Sequence, residues 1–83
     1  MSTLTDKADP RVDDVRITDT RLEVMLKDGR QISVPLDWFP RLKAASPENR
    51  SQWEPCAAGY GIHWPAIDED LSIEGLLRGT SAA

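Results

Sequence analysis

Three short runs of alternating residues constrain this chain more than any other feature. Val15 and Ile17 alternate with Asp14, Arg16 and Thr18. Leu22, Val24 and Leu26 alternate with Glu23 and Met25. Ile32 and Val34 alternate with Gln31, Ser33 and Pro35. A period of two gives each run one apolar and one wet face, the signature of a half-buried strand. The gaps between the runs are too short for a crossover helix, so the runs form an antiparallel meander.

The turns must keep the apolar faces together. A two-residue loop at Asp19-Thr20 pairs Ile17 with Leu22 and Val15 with Val24, and sets Arg16 opposite Glu23 on the wet face. At the second turn, Asp28-Gly29 invites a two-residue loop. That loop would pair Met25 with Ile32 and turn Leu22, Val24 and Leu26 away from Ile32 and Val34. A slip of one residue flips a whole strand. A three-residue loop, Lys27-Asp28-Gly29, instead pairs Leu26 with Arg30, Val24 with Ile32 and Leu22 with Val34. The pattern therefore predicts that loop, with Gly29 left-handed in a bulge.

Short helices follow. Asp37 is the expected cap of a helix whose first turn holds Trp38, Phe39 and Pro40, with Trp38, Leu42 and Ala45 on one face. Ser46-Pro47-Glu48 is a second helix start, with a hydroxyl cap, proline at N1 and an acid at the positive end. That helix is expected to run to about Trp53, where Glu54-Pro55 ends it. Cys56 to Gly61 reads as a loop or irregular edge, and Gly61 to Trp64 as a short fourth strand stopped by Pro65. Ser72 caps a last helix, with Leu71 packing on Leu76 as a hydrophobic staple and Gly79 closing it. The expected fold class is α+β: a small antiparallel sheet of three to four strands, meander first, with short helices packed on one face. Residues 1–9 read as a disordered N-terminal tail, 10–79 as a single domain and 80–83 as a C-terminal tail.

Composition removes several function classes. Ten Lys and Arg against fourteen Asp and Glu leave a net charge of -4, against the basic balance usual for duplex DNA binding. No apolar run approaches the roughly 20 residues that span a bilayer, so no membrane role is expected. The first residues lack the apolar stretch of a signal peptide, which makes the cytoplasm the default. A single cysteine, Cys56, and a single histidine, His63, offer no disulfide and too little material for a metal site. No cofactor is expected.

Each remaining candidate has a bland alternative. His63 could be a general base oriented by Asp68 or Asp70, but a strand histidine hydrogen-bonded at the rim is the simpler reading, because no nucleophile or oxyanion donors accompany it. Asp68, Glu69, Asp70 and Glu74 are too closely spaced for a calcium loop. They read as a solvated acidic turn before a helix, or as a patch for a basic partner. Tyr60 lies between Gly59 and Gly61, and flexible flanks often present an aromatic ring to a partner. Trp38, Trp53 and Trp64 read as core. Cys56 has no basic neighbour to activate it. Arg41, Lys43 and Arg50 form a modest basic face on the helices, opposite the acidic run. Tyr60, His63, Asp68, Glu69, Asp70 and Glu74 are thus the candidate partner-binding residues.

Pro10 to Val15, Leu22 to Gly29, Ser33-Val34-Pro35-Leu36-Asp37-Trp38-Phe39-Pro40-Arg41-Leu42, Trp53-Glu54, Gly59-Tyr60-Gly61-Ile62-His63-Trp64-Pro65, Asp68 to Ser72 and Gly75-Leu76-Leu77 together resemble a small bacterial family, domain of unknown function 2442. The order is that of the family, and Cys56-Ala57-Ala58 departs from its glycine-rich linker. The resemblance implies a compact α+β domain found alone or before a helix-turn-helix segment, for which this chain has no room after the domain. It implies, for the stand-alone form, a small protein encoded nearby, in an arrangement like a toxin–antitoxin pair with this domain as antitoxin. It carries no catalytic residues.

The expectation is therefore a non-catalytic protein-interaction module whose partner is that small neighbouring protein or a second copy of the chain, paired through the sheet edge. The alternatives are a nucleic-acid-associated regulator using Arg41, Lys43 and Arg50, and an enzyme centred on His63.

Overall fold

A computed structural model of the chain describes residues 7–79. Strands β1 (Val12–Ile17), β2 (Arg21–Leu26) and β3 (Gln31–Pro35) form an antiparallel meander in that order. Its register is the expected one. Val15 pairs with Val24, Arg16 with Glu23 and Ile17 with Leu22, while Leu22 pairs with Val34 and Val24 with Ile32. Gly29 has φ +92°, and Leu26 N donates to Arg30 O at 2.8 Å across the three-residue loop. An irregularity between Val12 and Asp14 brings Val12 opposite Leu26, so a third apolar residue of β1 joins the inner face.

The helices are shorter than the pattern suggests. A residue before proline avoids the helical region, and Phe39 (φ −128°, ψ 82°) accordingly breaks the expected helix. A 3-10 turn covers Leu36–Trp38, and α1 spans Pro40–Ala44. Asp37 caps neither; its carboxylate accepts from Lys43 Nζ. Helix α2 (Pro47–Ser51) starts as expected, with Ser46 Oγ accepting from Asn49 N at 3.1 Å, but stops short of Trp53.

The α+β class holds, but the fourth strand does not extend the meander. Strands β4 (Glu54–Cys56), β5 (Gly61–Trp64) and β6 (Glu69–Ser72) make a second antiparallel sheet with β5 in the centre. Glu69 and Asp70, expected in a solvated turn, belong to β6. Helix α3 (Ile73–Arg78) follows directly, with Ser72 Oγ accepting from Gly75 N at 2.9 Å and Gly79 closing it at φ +85°. One apolar cluster joins the two sheets: Leu22, Val24, Val34, Leu36, Phe39 and Leu42 meet Ile62, Trp64, Leu71, Ile73 and Leu76. Trp64 is fully buried, and its Nε1 donates to Arg50 O at 3.1 Å. Trp38 and Trp53 pack against the cluster while remaining partly exposed.

Of the tails expected at residues 1–9 and 80–83, residues 1–6 and 80–83 lie outside the described residues. Asp9 is tied to the second meander turn, its N–H donating to Asp28 Oδ2 at 2.8 Å.

Candidate functional site

The turn from β4 to β5 is built against the usual preference of L-residues. Ala57 (φ +51°), Ala58 (φ +58°) and Gly59 (φ +95°) are all left-handed, and an alanine in that region costs roughly 1–2 kcal/mol. The turn is closed by Tyr60 N donating to Ala57 O at 3.1 Å, and Tyr60 O in turn accepts from Ile73 N at 3.0 Å. Gly59 lies so close to Arg11 that a Cβ there would stand 3.1 Å from the Arg11 Cβ. Strain of this kind persists where the surroundings over-determine it. Its result is to hold the Tyr60 ring outward, half exposed at 50%.

Tyr60 has a counterpart on α3. Ile73 and Leu76 enter the core, while Leu77, about 100° further round the helix than Leu76, is 54% exposed. Tyr60 and Leu77 line the same groove of about 530 Å³, together with Pro10, Ala57, Ile73 and Glu74. Ser72 completes its wall. Two of the expected partner-binding residues, Tyr60 and Glu74, thus come together. Pro10, Ala57, Ile73 and Leu77 were not anticipated; the adjacency Leu76-Leu77 in a short helix is a signal for Leu77 alone.

The other candidates lie elsewhere. His63 is on the outer face of the second sheet, opposite Glu54 on one side and Asp70 on the other. Its Nδ1 is 2.5 Å from Asp70 Oδ1, and the Asp70 side chain is 69% exposed. Cys56 is two residues from Glu54 on the same face. Burial pushes its thiol up, and the negative charges of Asp70 and Glu54 add to that, so the sulfur is held protonated and poorly nucleophilic. The row joins an imidazole to a carboxylate in water but supplies no activated nucleophile. Glu69 faces inward opposite Trp64 and is 8% exposed. Asp68 is left-handed at φ +52° and ends the 3-10 turn Pro65–Ile67.

The basic residues are engaged within the fold. Arg50 donates through Nε to Leu42 O (2.9 Å) and through Nη2 to Lys43 O (2.7 Å), completing the carbonyls at the end of α1. Lys43 pairs with Asp37, and Arg41 Nη1 donates to Asp68 O at 2.7 Å. Of the three, Arg41 reaches the acidic run, through the Asp68 backbone carbonyl. Among the described residues, no three His, Cys, Asp or Glu side chains are placed to hold a metal ion, and no helix is long and apolar enough to cross a membrane.

Comparison with known proteins follows the fold. The family model described as "Protein of unknown function (DUF2442)" matches residues 12–82. A crystal structure of a protein of unknown function from Rhodospirillum rubrum superimposes with a TM-score of 0.73 at 31% identity, over 88% of this chain and 90% of that one. A solution structure of an uncharacterized protein from Chromobacterium violaceum also gives 0.73, at 23% identity, over 88% of this chain and 69% of that one. No curated protein matches.

Proposed function

The chain belongs to the DUF2442 family, and from that premise we propose that it is a non-catalytic module that binds a protein partner through the Tyr60–Leu77 groove. The observation that carries this reading is that the two large apolar side chains exposed among the described residues, Tyr60 and Leu77, line one groove. Large apolar side chains converging on a concave surface are the usual anchor of a protein interface. The occupant is a basic protein presenting an apolar side chain. Glu74 stands at the groove, the sheet beside it carries Glu54 and Asp70, and the chain has a net charge of -4. Such complementarity speeds encounter and fixes orientation.

Co-purification from a native host, followed by titration of the purified partner, tests this. Tyr60→Ala and Leu77→Ser should each weaken binding about 10- to 30-fold, as at an interface hot spot, without lowering the melting temperature. A partner whose affinity is indifferent to both substitutions would refute the assignment.

A narrower reading makes the partner a small toxin-like protein encoded nearby, with this chain as its antitoxin. Growth arrest caused by that protein, relieved by this chain and not by its Tyr60→Ala variant, is the corresponding test.

A further inference from the structure

Strand β1 is an edge of the first sheet, with β2 as its ladder neighbour. Thr18 N donates to Arg21 O, and bonded pairs alternate along an antiparallel ladder. Thr18–Arg21 and Arg16–Glu23 are therefore bonded pairs, and the amides and carbonyls of Val15 and Ile17 turn to the outer edge. The Val15 N–H is held there by the adjacent Asp14 Oδ1 at 2.9 Å. Beside that edge lies a groove of about 330 Å³, bounded by Val15, Ile17 and Asp19 on one side and Pro47, Arg50 and Ser51 on the other.

Charges on an edge strand normally repel a second strand. On β1 their signs and spacing suit a second copy of the same strand. We propose that two copies of this chain pair antiparallel through β1, with Val15 opposite Val15. The two-fold axis then sets Asp14 of each copy opposite Arg16 of the other. The two neighbouring bonded registers would place Arg16 against Arg16 or Asp14 against Asp14, so charge selects the one centred on Val15. Arg16 spends its Nε on Glu23 at 2.8 Å, and its side chain is 65% exposed, leaving its terminal nitrogens for the incoming carboxylate. Asp14 releases the Val15 amide, which donates instead to the Val15 carbonyl of the second copy. Each Val15 side chain enters the groove beside the other copy's edge. This face is separate from the Tyr60–Leu77 groove, so the pairing does not depend on the binding role proposed there.

Sedimentation of the full chain tests the pairing. The interface is one short strand wide and therefore weak, so the mass-average should rise from 9.3 kDa toward twice that value between about 10 μM and about 1 mM. Asp14→Arg alone and Arg16→Asp alone should each stay monomeric, because each sets like charges face to face. An equimolar mixture of the two variants should restore a 1:1 dimer, because both facing positions are then opposite in charge. Circular dichroism checks that each variant is folded. Val15→Pro, which removes the outward N–H and leaves the β2 ladder intact, should also abolish association. A wild-type chain that stays at 9.3 kDa throughout overturns the proposal. So does association that survives both charge variants, or association lost with Tyr60→Ala and Leu77→Ser.

Discussion

The thiol of Cys56 occupies the space a side chain on Gly61 would need: the two residues are directly paired in the second sheet, and a Cβ on Gly61 would stand 2.8 Å from Sγ. The nearest backbone atom, Leu71 O, would be at an ordinary 3.4 Å. The glycine and the cysteine are thus one packing unit, and the raised thiol pKa follows from the same burial.

Gly61→Ala should cost about 1–3 kcal/mol, the usual range for overpacking. Most of that loss should disappear in the background of Cys56→Ala, which removes the obstructing sulfur. Urea unfolding of the two single variants and the double variant measures the coupling. Additive losses would show that the sulfur is not the obstacle.

Two left-handed positions should respond in opposite directions. Gly29 has open space around it and φ +92°, so Gly29→Ala should lose about 1 kcal/mol through backbone strain alone. Ala58 pays that strain already at φ +58°. Ala58→Gly should be neutral or stabilising by up to about 1 kcal/mol, although glycine is ordinarily the costlier residue to order. Thermal melting of both variants decides the sign.

Arg50 should behave as a structural cation. Its guanidinium serves two carbonyls of α1, Leu42 O and Lys43 O. Arg50→Ala should lose about 1–2 kcal/mol, a discounted value for charged hydrogen bonds that are partly exposed. Arg50→Lys should recover only part of it, since an ammonium lacks the planar fork that spans both oxygens. Chemical denaturation compares the two.

The acid limb of stability should depend on Asp28 and Asp9. The side-chain bond from Arg30 holds Asp28 well below the usual carboxylate range, helped by the Arg30 and Asp9 backbone amides. The Arg11 side chain lowers Asp9 to about 2. Both acids titrate lower in the folded chain than in the unfolded one, where an aspartate lies near 3.9. Their contribution is complete above about pH 4, and it declines as pH falls toward the folded-state values. Asp28→Asn should flatten the drop in urea midpoint between about pH 4 and pH 2. An unchanged slope would assign acid sensitivity to other carboxylates.

Local chemistry made part of this protein legible without coordinates. The meander register follows from period-two alternation and from turn length, because a wrong loop at Asp28-Gly29 would have turned Ile32 and Val34 out of the core. Ser46 and Ser72 announce their helices, since each cap reaches only three residues along the chain. The exposure of Tyr60 was readable from its flanking glycines.

The second sheet was not readable in this way. Strand β4 has three residues with a proline in the middle, and β6 contains Glu69 and Asp70. Neither run has a period to detect. Both become strands because β5 lies between them and satisfies their backbone while the sheet packs against the first one. The same holds for the left-handed Ala57 and Ala58, the Glu54–His63–Asp70 row, and a groove assembled from the chain start, the β4–β5 turn and α3. Alternation and capping leave their mark in a few neighbouring residues, so the linear order contains them; strands without alternation, and a groove assembled from separated segments, carry no such mark, and the packed chain alone decides them.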